Sequence, residues 1–392
     1  MDGSDRRAIR IIDGLGEIPA AEWDACAGAD NPFVGHAFLQ ALEESGSATA
    51  ETGWLPQHIL LEDADRRLIG AVPLYVKSHS YGEYVFDHGW ADAYQRAGGT
   101  YYPKLLAAVP FTPVTGPRLL VRPDASRDAA KLLVAALLEV ANRAKVSSLH
   151  VNFPTAAEAD LLAEAGFMLR LGRQFHWENA GYGSFDDFLA ALSARRRKQI
   201  KRERRAALEG GGSGGIEIET LTGGDIATRH WDAFFAFYTA TSDKKWGAAY
   251  LTREFFDLLG QRMADKVVLV MAKQAGRYVA GALNFLGTDT LYGRNWGCLG
   301  EFPFLHFEAC YYRAIDFAIA RGLKRVEAGA QGEHKIQRGY LPVRTYSAHW
   351  IRDPGFARAV EDFLRRERRA VESEIDAIDE ELSPFKREPD GA

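Results

Sequence analysis

Two distant stretches of the chain carry the same series of predicted elements, and this internal repeat constrains the fold more than any other feature. In the first stretch, His58–Glu62 and residues 67–75 are β-rich runs on either side of a polar turn. In the second stretch, residues 267–272 and 277–285 have the same form. Each pair of runs predicts a β-hairpin.

Four further elements follow each hairpin in the same order: a strand with a Trp- and Gly-containing end, a helix, a strand, and a last strand that ends in His-Trp. The first copy places them at residues 84–90, 129–144, 146–151 and 166–177. The second copy places them at residues 291–297, 307–321, 324–328 and 339–350. Because a strand–helix–strand crossover joins parallel strands, each copy predicts a mixed sheet with helices on its faces, an α+β fold. Two unrelated α/β domains with ordinary hairpins are the alternative explanation.

The length of 392 residues suits two domains. We expect an N-terminal domain over residues 1–180, a linker over 181–215, and a C-terminal domain over 216–392 that ends in a charged helix at 356–382. The linker contains a predicted helix at 185–192 and a basic run at 195–205. A Gly/Ser-rich stretch at 210–215 follows and is typical of a flexible loop.

Composition excludes several classes of protein. Hydrophobic residues make up 47% of the chain, yet no apolar run approaches the roughly 18 residues of a membrane-spanning helix. The first ten residues are charged and lack the apolar stretch of a signal peptide, so we expect a cytoplasmic protein. Cys26, Cys298 and Cys310 form neither a disulfide framework nor a metal-binding pattern. The net charge of -5 argues against general nucleic-acid binding.

The densest polar cluster follows the predicted strand at 324–328, which ends in glycines. Active sites often lie on loops at the ends of parallel strands. Two cations of this loop, Lys335 and Arg338, suit a phosphate or a carboxylate. A solvated, glycine-rich loop with ordinary charges is the alternative interpretation. Four side chains are the candidate catalytic groups: Glu327, Glu333, His334 and Tyr340.

Two other predicted strand ends carry polar and aromatic side chains that we interpret as substrate-binding. Asp87 and His88 are neighbours on a predicted strand and point to opposite faces, so we do not expect them to pair. Asn295 suits a hydrogen bond to an oxyanion. Structural turns and hydrogen bonds are the alternative explanation for both sets. The full sets are Asp87, His88 and Trp90 in the first copy, and Asn295 and Trp296 in the second.

The basic run at 195–205 holds eight cationic residues among eleven and one apolar residue, Ile200. A solvated helix face is the ordinary interpretation. The sharper hypothesis is that Arg196, Arg197 and Lys198 bind an acidic partner: an acyl carrier protein, the phosphates of coenzyme A or anionic lipid headgroups.

Taken together, the repeat and the segments at 307–319 and 327–335 resemble the FemAB-like family of tandem GNAT proteins, from about Asn31 to Trp350. The basic run followed by glycines is similar to the helix that opens the second half of Fem-type transferases. Lys335 with Gly339 is similar to a Lys and a Gly after the late strand of that superfamily. We see no long coiled-coil insertion of the kind that Fem transferases use with aminoacyl-tRNA.

The resemblance implies two GNAT-like acyltransferase domains that move an acyl group from a thioester to an amine. No permanently bound cofactor is implied, and acyl-CoA or an acyl carrier protein is the expected donor. Since some members are implicated as bacterial ceramide synthases, we expect a long-chain fatty acyl group, a sphingoid base as the lipid amine acceptor, and peripheral contact with the inner membrane. Aminoacyl or acyl transfer to peptidoglycan precursors, or a non-catalytic binding role, are the alternatives.

Overall fold

A computed structural model describes residues 7–210, 214–246, 249–329 and 332–386, and the chain divides into two compact units. Of the described residues, unit 1 contains 7–172, 250–255 and 344–372, and unit 2 contains the others. No helix in the described part of the chain is both long and apolar enough to cross a membrane.

Unit 1 contains two sheets and the helices that cover them. One sheet has the strand order β1–β3–β4–β7, and the other runs β2–β5–β6–β8–β15 with β6 and β8 parallel. Its elements are β1 (Ala8–Ile12), α1 (Ala20–Ala27), α2 (His36–Glu44), β2 (Trp54–Pro56), β3 (His58–Glu62), β4 (Leu68–Val72), β5 (Leu74–Lys77), α3 (His88–Arg96), β6 (Lys104–Ala107), β7 (Leu120–Val121), α4 (Ala129–Ala144), β8 (Ser148–Asn152), α5 (Ala156–Glu164), the start of β9 (Met168–Glu178) and the end of β15 (Leu341–Ile351).

One face of the second sheet of unit 1 forms an apolar core with helices α4 and α5. Leu105 and Leu149 from the strands lie in one buried cluster with Leu133 of α4 and Leu162 of α5. Helix α5 begins with a capping box, in which the Thr155 hydroxyl accepts from the backbone of Glu158. The opposite face of this sheet carries buried polar side chains, among them Lys104, His150 and His349.

Unit 2 contains a mixed sheet in the strand order β10–β11–β12–β13–β14–β9, in which β13 and β14 are parallel. A π-helical turn, Glu308–Tyr312, joins two of its helices, and a 3₁₀ helix, Glu333–Arg338, follows its last short strand. Its elements are the end of β9, α6 (Phe185–Ala191), α7 (Ala194–Glu209), β10 (Ile216–Thr222), α8 (Thr228–Trp246), most of α9 (Arg253–Arg262), β11 (Val267–Gln274), β12 (Arg277–Leu286), β13 (Thr290–Cys298), α10 (Leu305–Phe307), α11 (Arg313–Ala320), β14 (Arg325–Glu327), the start of β15, and the end of α12 (Pro354–Ala377) with a π-helical turn at Ile378–Leu382.

Strands β13 and β14 pair over only three residues, and the last pair is Tyr292 with Glu327. Next to this point the register of β12 and β13 shifts, so that Arg294 is the extra residue of a β-bulge. Farther along β13, a Cβ on Gly297 would lie 2.2 Å from the backbone of Phe237, so only glycine lets α8 pack this closely. Past the end of β14, strand β13 continues with β12 as its paired neighbour, and the candidate site lies at this point.

The last strands of the two repeats are exchanged between the units. The end of β9, which closes the first repeat, pairs His176 with Glu327 of β14 in unit 2. The end of β15, which closes the second repeat, pairs His349 with His150 of β8 in unit 1. The two His-Trp dipeptides therefore occupy equivalent positions, each in the sheet of the other repeat.

The predicted repeat is confirmed in the order of its elements, with one exception. Residues 84–90 do not form the third strand of the first copy, and β6 takes that place. The segment turns inward instead because Glu83 and Asp87 both pair with the buried Lys104, and His88 starts helix α3. The helices predicted at 129–144, 307–321 and 356–382 are present, the last two with π-helical turns.

Candidate active site

Glu327 ends β14 and lies buried in the middle of the unit 2 sheet, between Tyr292 of β13 and His176 of β9. Burial raises the pKa of the Glu327 carboxyl to about 8. Its Oε2 atom has no hydrogen-bond partner among the described residues. A carboxyl that exchanges its proton near neutral pH and keeps one oxygen unused is suited to acid–base chemistry.

The imidazole of His176 faces this carboxyl, with its Nε2 3.7 Å from Oε2 of Glu327. Burial, aided by the charges of Arg325 and Lys335, lowers the pKa of His176 to about 3, so the ring is neutral at pH 7. Because the two pKa values lie far apart, the proton of this pair is held by the Glu327 carboxyl.

Lys335 lies in the 3₁₀ helix that follows β14, and its side chain is buried. Its Nζ donates to the carbonyl of Gly329, two residues after Glu327, at 2.7 Å. Burial lowers the pKa of Lys335 to about 7. The helix ends at Gly339, whose φ of +91° and close approach to the Phe188 ring, 2.7 Å from an added Cβ, both require glycine.

An aromatic group surrounds the exposed edge of this loop. The Tyr311 hydroxyl lies 2.9 Å from Nε2 of His334, and the rings of His306, Phe307 and Trp296 lie nearby. Tyr311 belongs to the π-helical turn, an irregularity that is frequent at functional sites. Burial lowers the pKa of His334, so its ring is neutral at pH 7 and can accept or donate at this edge.

Arg338 does not face the site. Its guanidinium is buried and forms a bidentate pair with Glu203 of α7, at 2.8 and 2.9 Å. The Tyr312 hydroxyl donates to the same carboxylate at 2.5 Å. The Arg338 side chain therefore anchors α7 to the 3₁₀ helix and leaves little capacity for a substrate phosphate.

Helix α7 presents its remaining cations on one face. Ile200, Glu203 and Ala207 are buried on the other side of the helix, and Arg204 pairs with Glu308 and Asp316. A cavity of about 840 Å³ is lined by Ala194, Arg195, Arg197, Lys198, Gln199, Lys201, Arg202 and Arg205. Six cations along one face of a single helix suit a ligand with several negative charges.

Five other predicted residues of unit 2 lie apart from the buried pair. Tyr340 is fully buried, and its hydroxyl donates to the Tyr311 carbonyl at 3.3 Å. Glu333 is 72% exposed and pairs with Arg173 at 3.1 Å. Asn295 and Trp296 lie on β13 beyond its pairing with β14, half-buried. Arg196 of α7 donates to Gln199 at 3.1 Å.

The predicted residues of the first repeat lie in unit 1. Asp87 is buried and accepts from Lys104 at 2.5 Å and from Tyr101 at 2.7 Å. His88 starts α3 at the surface near Phe86, so it does not pair with Asp87. Trp90 packs edge-on against His349, with ring centroids 4.9 Å apart. No group of three or more His, Cys, Asp or Glu side chains in the described ranges is arranged to hold a metal ion.

Three buried residues that lie against ionisable partners were not predicted from the sequence: His176, Glu203 and Lys104. His176 had a signal, since it belongs to the His-Trp that closes both repeats. The sequence signal for Glu203 was weaker: it is the one acidic residue in the basic run at 195–205. Lys104 stands in an otherwise apolar run, and only the fold shows that it is buried.

Comparison with known proteins places these features in a family. The sequence matches the model of the FemAB-like family, described as peptidoglycan biosynthesis/recognition, over residues 14–387. Among similar solved structures, FemX has a TM-score of 0.55 and 13% identity and covers 88% of this chain and 98% of its own. L-PGS from Bacillus licheniformis has a TM-score of 0.51 and 10% identity, with coverages of 87% and 98%.

A conserved protein of unknown function from Bacteroides thetaiotaomicron has a TM-score of 0.50 and 13% identity, with coverages of 87% and 99%. No curated protein sequence matches the chain. At these identities the structural likeness shows the fold, and the family match, which spans nearly the whole chain, shows the membership. The chain therefore belongs to the FemAB-like family.

Proposed function

We propose that this enzyme transfers an acyl or aminoacyl group to a primary amine of a peptidoglycan precursor, and that unit 2 carries the chemistry. The family description supports the acceptor class. The observation that supports the site is Lys335, a buried lysine with a pKa near 7 at the end of the strand that carries Glu327.

The acceptor amine must lose a proton before or as it attacks the carbonyl carbon of the donor. Glu327 is the proposed base, because its pKa of about 8 lies between those of a free carboxyl and an aliphatic ammonium. His176, 3.7 Å away, stays neutral because its pKa of about 3 lies far below that of Glu327, so the proton remains on the carboxyl. Glu333 is the weaker candidate for the base, because its carboxylate is exposed and paired with Arg173.

Attack of the amine forms the new C–N bond and places a negative charge on the former carbonyl oxygen. The ammonium form of Lys335 is the proposed donor to this oxyanion, in a buried setting where one charged donor has a large effect. Collapse of the intermediate breaks the bond to the carrier, a C–S bond for a thioester or a C–O bond for an ester. The leaving sulfur or oxygen takes up one proton, which balances the one that the amine lost.

The carrier of the acyl group is proposed to bind the basic face of α7. Its cavity of about 840 Å³ lies within the size range of small-molecule sites, and its six cations suit phosphates. The fatty acyl donor and the sphingoid acceptor expected from the resemblance find no support in the family description, which names peptidoglycan. The substrate-binding roles of Asp87, His88, Trp90, Asn295 and Trp296 stay predictions.

The direct test is a matrix of donors and acceptors with the purified chain. Acyl-CoA, an acyl carrier protein and aminoacyl-tRNA would each be combined with a muropeptide bearing a free amine or with sphinganine, and products identified by mass spectrometry. We expect product with the muropeptide amine. Product with sphinganine alone would overturn the proposed acceptor, and no amide with any pair would overturn the proposed function.

Glu327→Gln is expected to lower kcat by about 10²–10⁴-fold, the usual contribution of a general base. In the unmodified enzyme Glu327 must be ionised and Lys335 protonated, so kcat should rise as Glu327 ionises, pass through an optimum between about pH 7 and pH 8, and fall as Lys335 loses its proton. Steady-state rates from pH 6 to pH 9.5 would show both limbs, and Glu327→Gln should lack the rising limb. Glu333→Gln separates the two carboxylates: a loss there equal to that of Glu327→Gln would move the base to Glu333.

Replacing Arg197, Lys198 and Arg202 together by alanine should raise the KM for a phosphate-bearing donor about tenfold or more, since each charge-assisted hydrogen bond counts for about 1.5–3 kcal/mol. The difference from the unmodified enzyme should shrink at high salt because exposed charges are screened. A matched control removes Arg358, Arg366 and Arg369 from the exposed face of α12. Equal KM changes in both triple variants would contradict a specific role of α7.

A further inference from the structure

The segment between β5 and α3 presents aromatic rings at the surface of unit 1. The Tyr81 and Phe86 side chains are 61% and 57% exposed, which is unusual for rings of this size. His88, which starts α3, is also exposed. Its ring centroid lies 5.7 Å from that of Tyr81 and 6.5 Å from that of Phe86. The three rings therefore form one continuous exposed surface.

Charged groups beneath the segment fix its course. Three of its buried side chains accept from Nζ of Lys104, at 2.8, 2.8 and 2.5 Å: Ser80, Glu83 and Asp87. The Arg170 guanidinium donates to the Phe86 carbonyl at 2.7 Å and holds the same segment from another side. Because the polar side chains are held inward, the rings that lie between them are turned outward.

Helix α12 adds another exposed ring beside this surface. Arg170 connects the two, since its guanidinium also pairs with both carboxylate oxygens of Glu367, at 2.7 and 2.8 Å. The same guanidinium lies 5.3 Å from the Trp90 ring centroid. Phe363, one turn before Glu367, is 40% exposed and contacts the same Trp90 ring, with centroids 6.3 Å apart. We call these four exposed rings the aromatic patch: Tyr81, Phe86, His88 and Phe363.

The exposed side of α12 next to Phe363 is basic. Arg366 lies one turn beyond Phe363, and Arg369 lies one turn beyond Arg366. Residues 354–372 of this helix expose five cations and two acids: Arg358, Arg365, Arg366, Arg368 and Arg369 against Glu361 and Asp362. Helix α3 exposes one charge of each sign, Asp92 and Arg96, and leaves this excess unchanged. The excess is local, because the whole chain has a net charge of -5.

Exposed aromatic rings beside an excess of arginines suit the surface of an anionic membrane. Aromatic side chains are favoured at the level of the lipid headgroups, and arginines near the surface are attracted by anionic lipids. The angles between the rings disfavour a sugar, since Tyr81 and His88 meet at 52° and His88 and Phe86 at 30°. No flat sugar face could stack on all three rings, whereas a fluid headgroup layer needs no common plane.

We propose that unit 1 docks on anionic lipid headgroups through the aromatic patch, with the Tyr81 and Phe86 rings inserted among the headgroups and the arginines of α12 beside them. The surface is separate from the chemistry proposed for unit 2, and it stands if that chemistry is wrong. It gives a function to exposed rings that no step of the proposed reaction uses.

Sedimentation of the full chain with two kinds of vesicle tests the proposal. One kind contains phosphatidylcholine alone, and the other contains three parts of phosphatidylcholine to one part of phosphatidylglycerol. We expect at least tenfold tighter binding to the phosphatidylglycerol vesicles at low salt, with a difference that shrinks as salt is added. Equal binding to both kinds, or binding to neither, would overturn the proposal.

Tyr81→Ser combined with Phe86→Ser should weaken vesicle binding about tenfold or more, since two rings would no longer leave water on docking. Both side chains are exposed, and the Phe86 carbonyl that accepts from Arg170 is kept, so the variant should fold. Ile9→Ser combined with Ile11→Ser is the matched control, because these side chains are 45% and 41% exposed on β1 of the same unit. Equal losses in the two double variants would exclude a specific role of the aromatic patch.

Arg366→Gln combined with Arg369→Gln should weaken binding to the phosphatidylglycerol vesicles about tenfold or more at low salt, because each arginine near an anionic surface counts for about fivefold. Binding to phosphatidylcholine alone should stay as it is. The triple alanine variant of α7, at Arg197, Lys198 and Arg202, is the comparison. A loss in the α7 variant with none in the α12 variant would place the lipid contact in unit 2 and overturn the proposal.

Hydrogen exchange gives a second readout. The phosphatidylglycerol vesicles should slow exchange in residues 78–90 of the unmodified chain, because docking covers this segment. Vesicle binding that leaves these amides unchanged would contradict the assignment. A dimer detected by light scattering without lipid, with the same amides slowed, would make the aromatic patch a contact between two copies of the chain and overturn the proposal.

Discussion

Lys335→Met is expected to reduce kcat by about 10²–10³-fold, the usual cost of removing one donor to an oxyanion. Methionine keeps the length and the apolar stem of the side chain, so the buried slot stays filled. The variant loses the hydrogen bond from Nζ to the Gly329 carbonyl. We therefore expect a folded protein that has lost activity.

The measurement is kcat and KM for the best donor and acceptor found in the substrate matrix, with the melting temperature recorded on the same sample. Lys324→Met is the control, because its side chain is 77% exposed and pairs only with Asp289 at the surface. A kcat within threefold of the unmodified enzyme would remove Lys335 from the mechanism. A rise in KM with kcat intact would make it a binding residue instead.

Glu203→Ala is expected to lower the free energy of unfolding by about 3–5 kcal/mol, the range found when one partner of a buried ion pair is removed. The effect is large because the variant keeps two buried groups without their partner. The Arg338 guanidinium would stay buried without its carboxylate, and the Tyr312 hydroxyl would lose its acceptor. The same substitution at an exposed acid should have almost no effect.

Chemical denaturation of Glu203→Ala, Arg338→Met and the double variant would measure this coupling. The double variant should recover much of the stability, since it leaves no unpaired buried charge. Glu209→Ala, at the exposed end of α7, is the matched control. Strictly additive losses in the double variant would show that the two side chains do not act as a pair.

Much of the fold could be predicted from the repeat alone. Hairpin, strand and helix patterns are local, so the sequence near His58 and Val267 was sufficient to predict them. The failure at residues 84–90 has a non-local cause, since their course is set by Lys104, many residues away. The exchange of β9 and β15 between units is also invisible in local patterns, because each strand has the same sequence signal in either sheet.

The site could be predicted only in part. The loop after β14 was a candidate site because glycines alternate with titratable groups, and the fold buries Glu327, Lys335, Arg338 and Tyr340 among them. Burial depends on tertiary packing, so the sequence could not separate Glu327 from the exposed Glu333. In the sequence, Arg338 and Lys335 were equivalent candidates for binding a phosphate or a carboxylate. The fold shows that the Arg338 guanidinium is already paired with the Glu203 carboxylate of α7.

The exchange of β9 and β15 between the units also decides whether the chain can be split into two halves that fold independently. A gene cut between the two repeats would give halves that each carry a strand the other needs, since β9 contributes His176 to unit 2 and β15 contributes His349 to unit 1. Neither half made alone would complete its sheet, whereas halves produced in the same cell could reassemble. The two repeats are therefore not independent modules, because each sheet contains a strand from the other repeat.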